Sequence, residues 1–422
     1  MYNETVLRSG ASETIRSERK IFYPIFAFFI NIEIVIEIIR LLEKQFFSAE
    51  TLVFYTRVRM VLYICLAAYI IFYILRNEIK LDIIFITLAF VILIGISLIV
   101  EPKVKLVLQD YILNLFSRIL PAYFFARYVT DYSELLRCLK PYIYISLIYV
   151  CIAAWVGLEP LEYMGFSYNI LIPTCVALSY ALLKKEYINW LWAIILMISI
   201  LLMGARAAFL CSVIYIAAIL VMKFKEMGLF KTIVVLAVIA FGVFILLYYM
   251  DRILYALYSA MPSSRTLKLL YYDDLLDLSG RNVYYDKAFF AIAEDPLKFR
   301  GLLGDRFLMT TSTDPNVIFG SYAHNMELEF TIQFGVIPAI VVFFVLFYCL
   351  ILSVKKATIL QSKDFNIIYC MFWVTTLVRL QISGSYLTTS NLWIAIGLMV
   401  SVLHLQKNKN RKWIRHEAKV IK

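Results

Sequence analysis

The chain has 422 residues, 62% of them hydrophobic, and a mean hydropathy of +0.80. These values exclude an ordinary soluble domain, because apolar runs of roughly 18 residues or more recur along it. The net charge of +11 follows the spacing of those runs, and no nucleic-acid partner is assigned to it.

With no water in a bilayer core, such runs must be helices that satisfy their own backbone hydrogen bonds. The pattern predicts an all-α integral membrane protein of about twelve transmembrane helices, at 21–41, 58–75, 81–100, 107–126, 141–157, 167–183, 188–203, 206–222, 232–250, 326–354, 365–382 and 390–405. The first twenty residues are polar and the first apolar run is long enough to stay in the membrane, so no cleaved signal peptide is expected. Residues 1–20 then form a polar amino-terminal segment, 21–250 nine helices, 251–325 one large loop, 326–405 three helices and 406–422 a basic tail.

Lys and Arg cluster on alternate loops, among them Arg76 and Lys80, Arg127, Arg137 and Lys140, Lys184 and Lys185, and Lys355 and Lys356. The positive-inside rule makes that side cytoplasmic, with both termini on it. The tail, which includes Trp413, would rest on the anionic inner leaflet. The 251–325 loop is then extracytoplasmic.

Several spans carry charge. Glu33 and Glu37 lie one helical turn apart on one face of the first span and must face protein or water, as a hydrogen-bonded interior pair or for proton coupling. Asp110, Asn114 and Arg118 make 107–126 the weakest span, while Arg379 stands near the outer end of 365–382. Either arginine could line a cavity for a lipid phosphate. Gly204-Ala205-Arg206 leaves almost no loop between two spans, so Arg206 sits at the outer boundary. There it either snorkels to water or presents a fixed cation to an anionic lipid group. The seven cysteines (65, 138, 151, 175, 211, 349 and 370) fall in or beside spans, offer no CxxC pair and read as packing residues.

The 251–325 loop is nearly neutral, with eight basic and nine acidic residues. A short helix is expected at 278–294, capped by Ser279 and ended by Asp295-Pro296. Arg281 at its start joins a helix amino terminus, which favours an anion, although a solvated surface role fits its spacing equally well. Arg300 and Arg306 flank a flexible turn, Gly301-Leu302-Leu303-Gly304. The run Asp273-Asp274-Leu275-Leu276-Asp277 superficially resembles a divalent-cation clamp, but three acids in five loop residues also arise by chance; no metal or cofactor is assigned. The loop closes on His324-Asn325 at the edge of the next span, where a group titrating near neutral pH can take a proton.

Taken in order, Gly204-Ala205-Arg206, Ser279-Gly280-Arg281, Asp295-Pro296 with Gly301 and Gly304, His324-Asn325, and Gln333-Phe334-Gly335-Val336-Ile337 resemble the O-antigen polymerase and O-antigen ligase superfamily. The resemblance covers roughly the carboxy-terminal half of the chain. Gln333 departs from it, since many members carry Glu there. The resemblance implies a GT-C-like membrane glycosyltransferase of the bacterial inner membrane, working without a metal. Its donor would be a glycan on undecaprenyl diphosphate. Arg206 and Arg281 would bind the diphosphate, with Arg300, Arg306 and Asn325 as further substrate contacts and His324 as general base. The implied partners are the lipid-linked oligosaccharide, membrane lipids, a chain-length regulator and a flippase. Polymerase and ligase share donor chemistry and differ in acceptor; a surface-polysaccharide polymerase is the reading preferred here, ahead of a ligase acting on lipid A–core. A flippase or transporter is the alternative of another class, weakened by the dissimilar halves of the chain.

Overall fold

The computed structural model describes residues 2–46, 53–157, 163–203, 205–224, 255–256, 258–259, 281–309, 322–360, 363–382 and 384–404. Among the described residues every regular element is helical. In chain order these are α1 (Tyr2–Phe46), α2 (Val53–Arg76), α3 (Leu81–Val100), α4 (Lys105–Asn114), α5 (Leu120–Tyr128), α6 (Tyr132–Leu139), α7 (Pro141–Val156), α8 (Tyr163–Leu182), α9 (Ile188–Met203), α10 (Arg206–Phe224), α11 (Arg281–Glu294), α12 (Met326–Phe334), α13 (Val336–Leu360), α14 (Lys363–Ile382) and α15 (Ser390–His404). Among the described residues seven helical stretches are long and apolar enough to cross a membrane: Phe54–Arg76, Leu81–Val100, Tyr132–Val156, Met164–Leu182, Ala207–Phe224, Val336–Lys356 and Lys363–Ile382. Ile188–Met203 and Ser390–His404 are shorter apolar helices. The predicted span 232–250 lies outside the described residues.

The bundle has an apolar core and also an apolar outer surface, with some polar groups held inside. Apolar side chains on α3 and α13 point outward, among them Phe85, Ile99, Phe344 and Phe347. Asn31, Ser146, Ser179 and Asn189 are buried. Of the seven long apolar stretches α8 is the most enclosed, with 83% of its most apolar window buried against 11% in α13. It packs against α9, α10, α7 and α1. An aromatic cluster locks α1 to α2 and α5: Phe26 stacks on Phe125 at 5.1 Å, and Phe22 lies 4.8 Å from Tyr73. Such ring pairs add to the packing beyond the area they bury.

Two helix interruptions position the site. The first is a π turn, Leu115–Ile119, between α4 and α5. Pro121, near the start of α5, has no N–H to give to the carbonyl one turn back, and the helix widens there. This polar part of the 107–126 span is turned inward: Asn114 donates to the Leu387 carbonyl at 3.3 Å. The second falls in the predicted span 326–354, which is not one helix. Gly335 adopts φ 86°, a left-handed conformation that suits glycine, and separates α12 from α13. The Val336 N–H turns to the Pro296 carbonyl at 2.8 Å. A side chain at Gly335 would meet the Leu297 backbone at 3.1 Å.

Candidate functional site

The segments 281–309 and 322–334 gather at one end of the bundle, held by a buried cluster around Arg306. The guanidinium pairs with Asp305 and, at 2.8 Å, with Glu329. It also donates to Tyr111 at 3.0 Å and Ser385 at 3.2 Å, and the rings of Tyr111 and Tyr322 flank it at 5.1 and 5.2 Å. Gln333 donates to Asp305 at 2.6 Å and accepts from Tyr386. Arg306 is 1% exposed, and Asp305 and Glu329 are fully buried. Burial raises the Glu329 carboxyl above the usual glutamate range; the Asp305 charge pushes the same way and Arg306 opposes it. The second Glu329 oxygen, Oε2, is buried without a hydrogen-bond partner, a position that suits a neutral carboxyl better than a bare carboxylate.

Arg300 is also committed to the fold. Its guanidinium donates to the carbonyls of Ala291 at 3.1 Å and Ile332 at 3.4 Å, fastening the last turn of α11 to the last turn of α12. The glycine turn that follows is docked: the Leu302 N–H donates to Ser97 Oγ of α3 at 2.6 Å. Gly301 has φ 76°, and a Cβ there would strike Ser97 at 2.7 Å. The flexible turn expected from sequence is therefore a fixed contact, made by a residue with no side chain.

Asn325 caps α12, accepting from the Leu328 N–H at 3.0 Å, and donates to Gln381 at 3.1 Å. This ties the His324 segment to α14 two residues beyond Arg379. His324 is half-buried at φ 56° and packs against Tyr322 at 4.4 Å and Tyr284 at 5.2 Å. It does not line the cavities described next. Arg281 and Arg206 open α11 and α10, and their side chains lie outside the described residues, as do Gly204, Ser279, Gly280 and the 273–277 acidic run. The backbone level of Arg206 is nonetheless fixed. Cys211 contacts the Thr375 carbonyl and Tyr215 the Ile367 carbonyl, so α10 runs antiparallel to α14 and Arg206 starts level with Arg379.

At the same end of the bundle two cavities share the wall Arg59, Tyr63, Arg118 and Thr388. The smaller, about 320 Å³, is lined by Glu33, Tyr168, Asn169, Arg379, Ser390 and Asn391 among others. The larger, about 780 Å³, reaches Gln109, Tyr111 and Arg306. Each falls in the size range of small-molecule sites. Glu33 bonds Arg59 at 2.9 Å and Arg118 at 3.1 Å. Arg118 lies over the Tyr63 ring at 4.8 Å and Arg379 over the Tyr168 ring at 4.0 Å. Glu37 is paired with Arg40 at 2.6 Å. Three guanidiniums thus reach the smaller cavity, and Glu33 pairs with two of them. The site can hold an anion with two-point arginine contacts.

Sequence reasoning placed Arg118, Arg379 and Glu33 as charges inside spans, and the structure brings them into one cavity. Arg59 was missed. Its signal was an arginine at the end of a span where the positive-inside pattern is otherwise poor in them. Glu329 was missed too, although it is an acid inside an apolar run.

Among the described residues, fold and site define an all-helical protein with seven helices of membrane-crossing length and a basic cavity among them. Comparison with family models, curated proteins and solved structures gives no match to this chain.

Proposed function

We propose that the protein is a bacterial inner-membrane glycosyltransferase. It transfers a growing glycan from undecaprenyl diphosphate onto the next lipid-linked repeat unit, as a surface-polysaccharide polymerase does. In this reading the chain has twelve spans in a GT-C-like arrangement, both termini are cytoplasmic, and the 251–325 segment covers the extracytoplasmic end of the bundle. The observation that carries the reading is the cavity lined by Arg59, Arg118 and Arg379. It lies at the end where α1 and α14 finish and α2, α8 and α15 begin, which the Lys and Arg pattern makes extracytoplasmic.

The chemistry fits that placement. An acceptor hydroxyl attacks the anomeric carbon, the bond from that carbon to the phosphate oxygen breaks, and the electron pair leaves with the diphosphate. Arginines fixed in a poorly hydrated cavity stabilise the growing negative charge. The hydroxyl proton passes to a base, the role given to His324. Arg206, level with Arg379, and Arg281 add cations to the same anion. Arg306, already balanced by Asp305 and Glu329, holds the outer segment in place instead.

The test is complementation of a strain lacking the gene, read as polysaccharide ladders on a gel. Arg118→Ala, Arg379→Ala and His324→Ala are each expected to lower long-chain output about 100-fold or more. In the deletion strain a single repeat unit remains on the lipid core. Unchanged ladders in all three variants would overturn the assignment, and long chains stranded on the carrier would make the protein a ligase.

A further inference from the structure

We infer that Glu33 is a resident counter-ion that the diphosphate displaces, so the cavity binds its ligand by anion exchange. One carboxylate oxygen, Oε1, accepts from Tyr63 OH at 2.7 Å and Arg59 Nη2 at 2.9 Å, and Arg118 Nη1 faces it at 3.1 Å as an ion pair without a hydrogen bond. A carboxylate oxygen offers about two lone-pair sites, so Tyr63 and Arg59 fill it and Arg118 is left with its charge met but its donors unspent on Glu33. The surplus donor capacity lies in the cavity wall. The Nε atoms of Arg118 and Arg379 are buried without hydrogen-bond partners. Arg379 is held by the Tyr168 ring and has no carboxylate at ion-pair distance among the described residues.

The charge balance favours exchange over simple addition. Arg59, Arg118 and Arg379 against Glu33 leave an excess of two positive charges, and Glu37, also in the lining, is paired with Arg40. A sugar-linked diphosphate diester carries two negative charges. If Glu33 stayed in place it would repel the incoming phosphates at close range. If it swings away, the diphosphate inherits arginines that Glu33 and the Tyr63 and Tyr168 rings had already oriented, and little ordering cost remains. After transfer, Glu33 competes with the released lipid diphosphate for the same guanidiniums and so promotes product release.

This inference rests on the diphosphate reading of the cavity, and one titration separates the two. Inorganic pyrophosphate is titrated calorimetrically into the full-length protein in detergent, as wild type, Glu33→Gln, Glu33→Asp and Arg379→Met. Glu33→Gln keeps the shape and removes the charge, and is expected to bind pyrophosphate about tenfold tighter or more. Arg379→Met is expected to bind it at least about tenfold more weakly. Glu33→Asp keeps the charge on a shorter stem, which loosens the cluster, and should fall between wild type and Glu33→Gln; it carries the test if Glu33→Gln does not fold. Binding by wild type with no tightening in the Glu33 variants overturns the counter-ion role alone. Absence of binding in wild type and in every Glu33 variant overturns the diphosphate reading with it.

Discussion

Arg127 and Arg379 stand at opposite ends of the bundle, in opposite electrostatic situations. Arg127 is 4% exposed and fully matched. It donates to Asp82 at 2.8 Å and to Ser401 at 2.8 Å, and the Asp82 carboxylate also accepts from Tyr123. Arg379 meets an aromatic ring and a void. A buried arginine with a dedicated carboxylate is a fastening, and its removal strands a charge. An arginine cluster with too few carboxylates costs stability in the empty protein, a cost expected of a site that waits for a ligand. The Arg306 cluster belongs with Arg127, although it shares a wall with the larger cavity.

The largest effect expected from this contrast is on stability. Arg306→Met leaves Asp305 and Glu329 without their cation and should cost about 3–5 kcal/mol. Arg379→Met removes a charge from an over-positive cavity and should change stability by about 1 kcal/mol or less, in either direction. Thermal unfolding in detergent compares the two; equal losses would erase the distinction between fastening and site. Asp82→Asn is the next step down. It keeps one acceptor for Arg127 and removes the charge, so a loss of roughly 1–3 kcal/mol is expected, with no change in pyrophosphate binding. A loss of binding in that variant would mean that the two ends are coupled.

The difference between these regions was only partly legible in the sequence. The all-helical character and many of the helix positions were, because a bilayer forces long apolar runs into helices and leaves few alternatives. Arg118, Arg379 and Glu33 stood out as charges within such runs. What could not be read was which charges meet. Arg306 resembled a phosphate ligand beside a glycine turn, but its partners are Glu329, Tyr111 and Ser385, far apart in the chain. Arg59 was missed because nothing in its own span shows that α1 places Glu33 against it. The break at Gly335 was hidden because one glycine with positive φ scarcely alters the hydropathy of the run around it.

A graded effect is predicted in the pH response of the Arg306 fastening. Two carboxyls face one guanidinium in a site closed to water, so full ionisation leaves one negative charge in excess. The groups around Glu329 are Arg306, Asp305, Ser385 and the Tyr386 phenol. Burial lifts Glu329 above its ordinary value near 4.5, and burial lifts Asp305 as well. A carboxyl raised in the folded state contributes its full stabilisation below its unfolded value and loses it as pH rises through the folded one. Attachment of the outer segment should therefore weaken from the ordinary glutamate range upward, by at most about 1.4 kcal/mol per pH unit for one proton. Glu329→Gln, an uncharged stand-in for the protonated acid, should flatten that slope. Melting temperatures taken between about pH 5 and 8 provide the check. A slope of the same size in wild type and Glu329→Gln would place the titrating proton elsewhere, and Arg306 would then be balanced by two ionised carboxylates in a fastening that carries net negative charge.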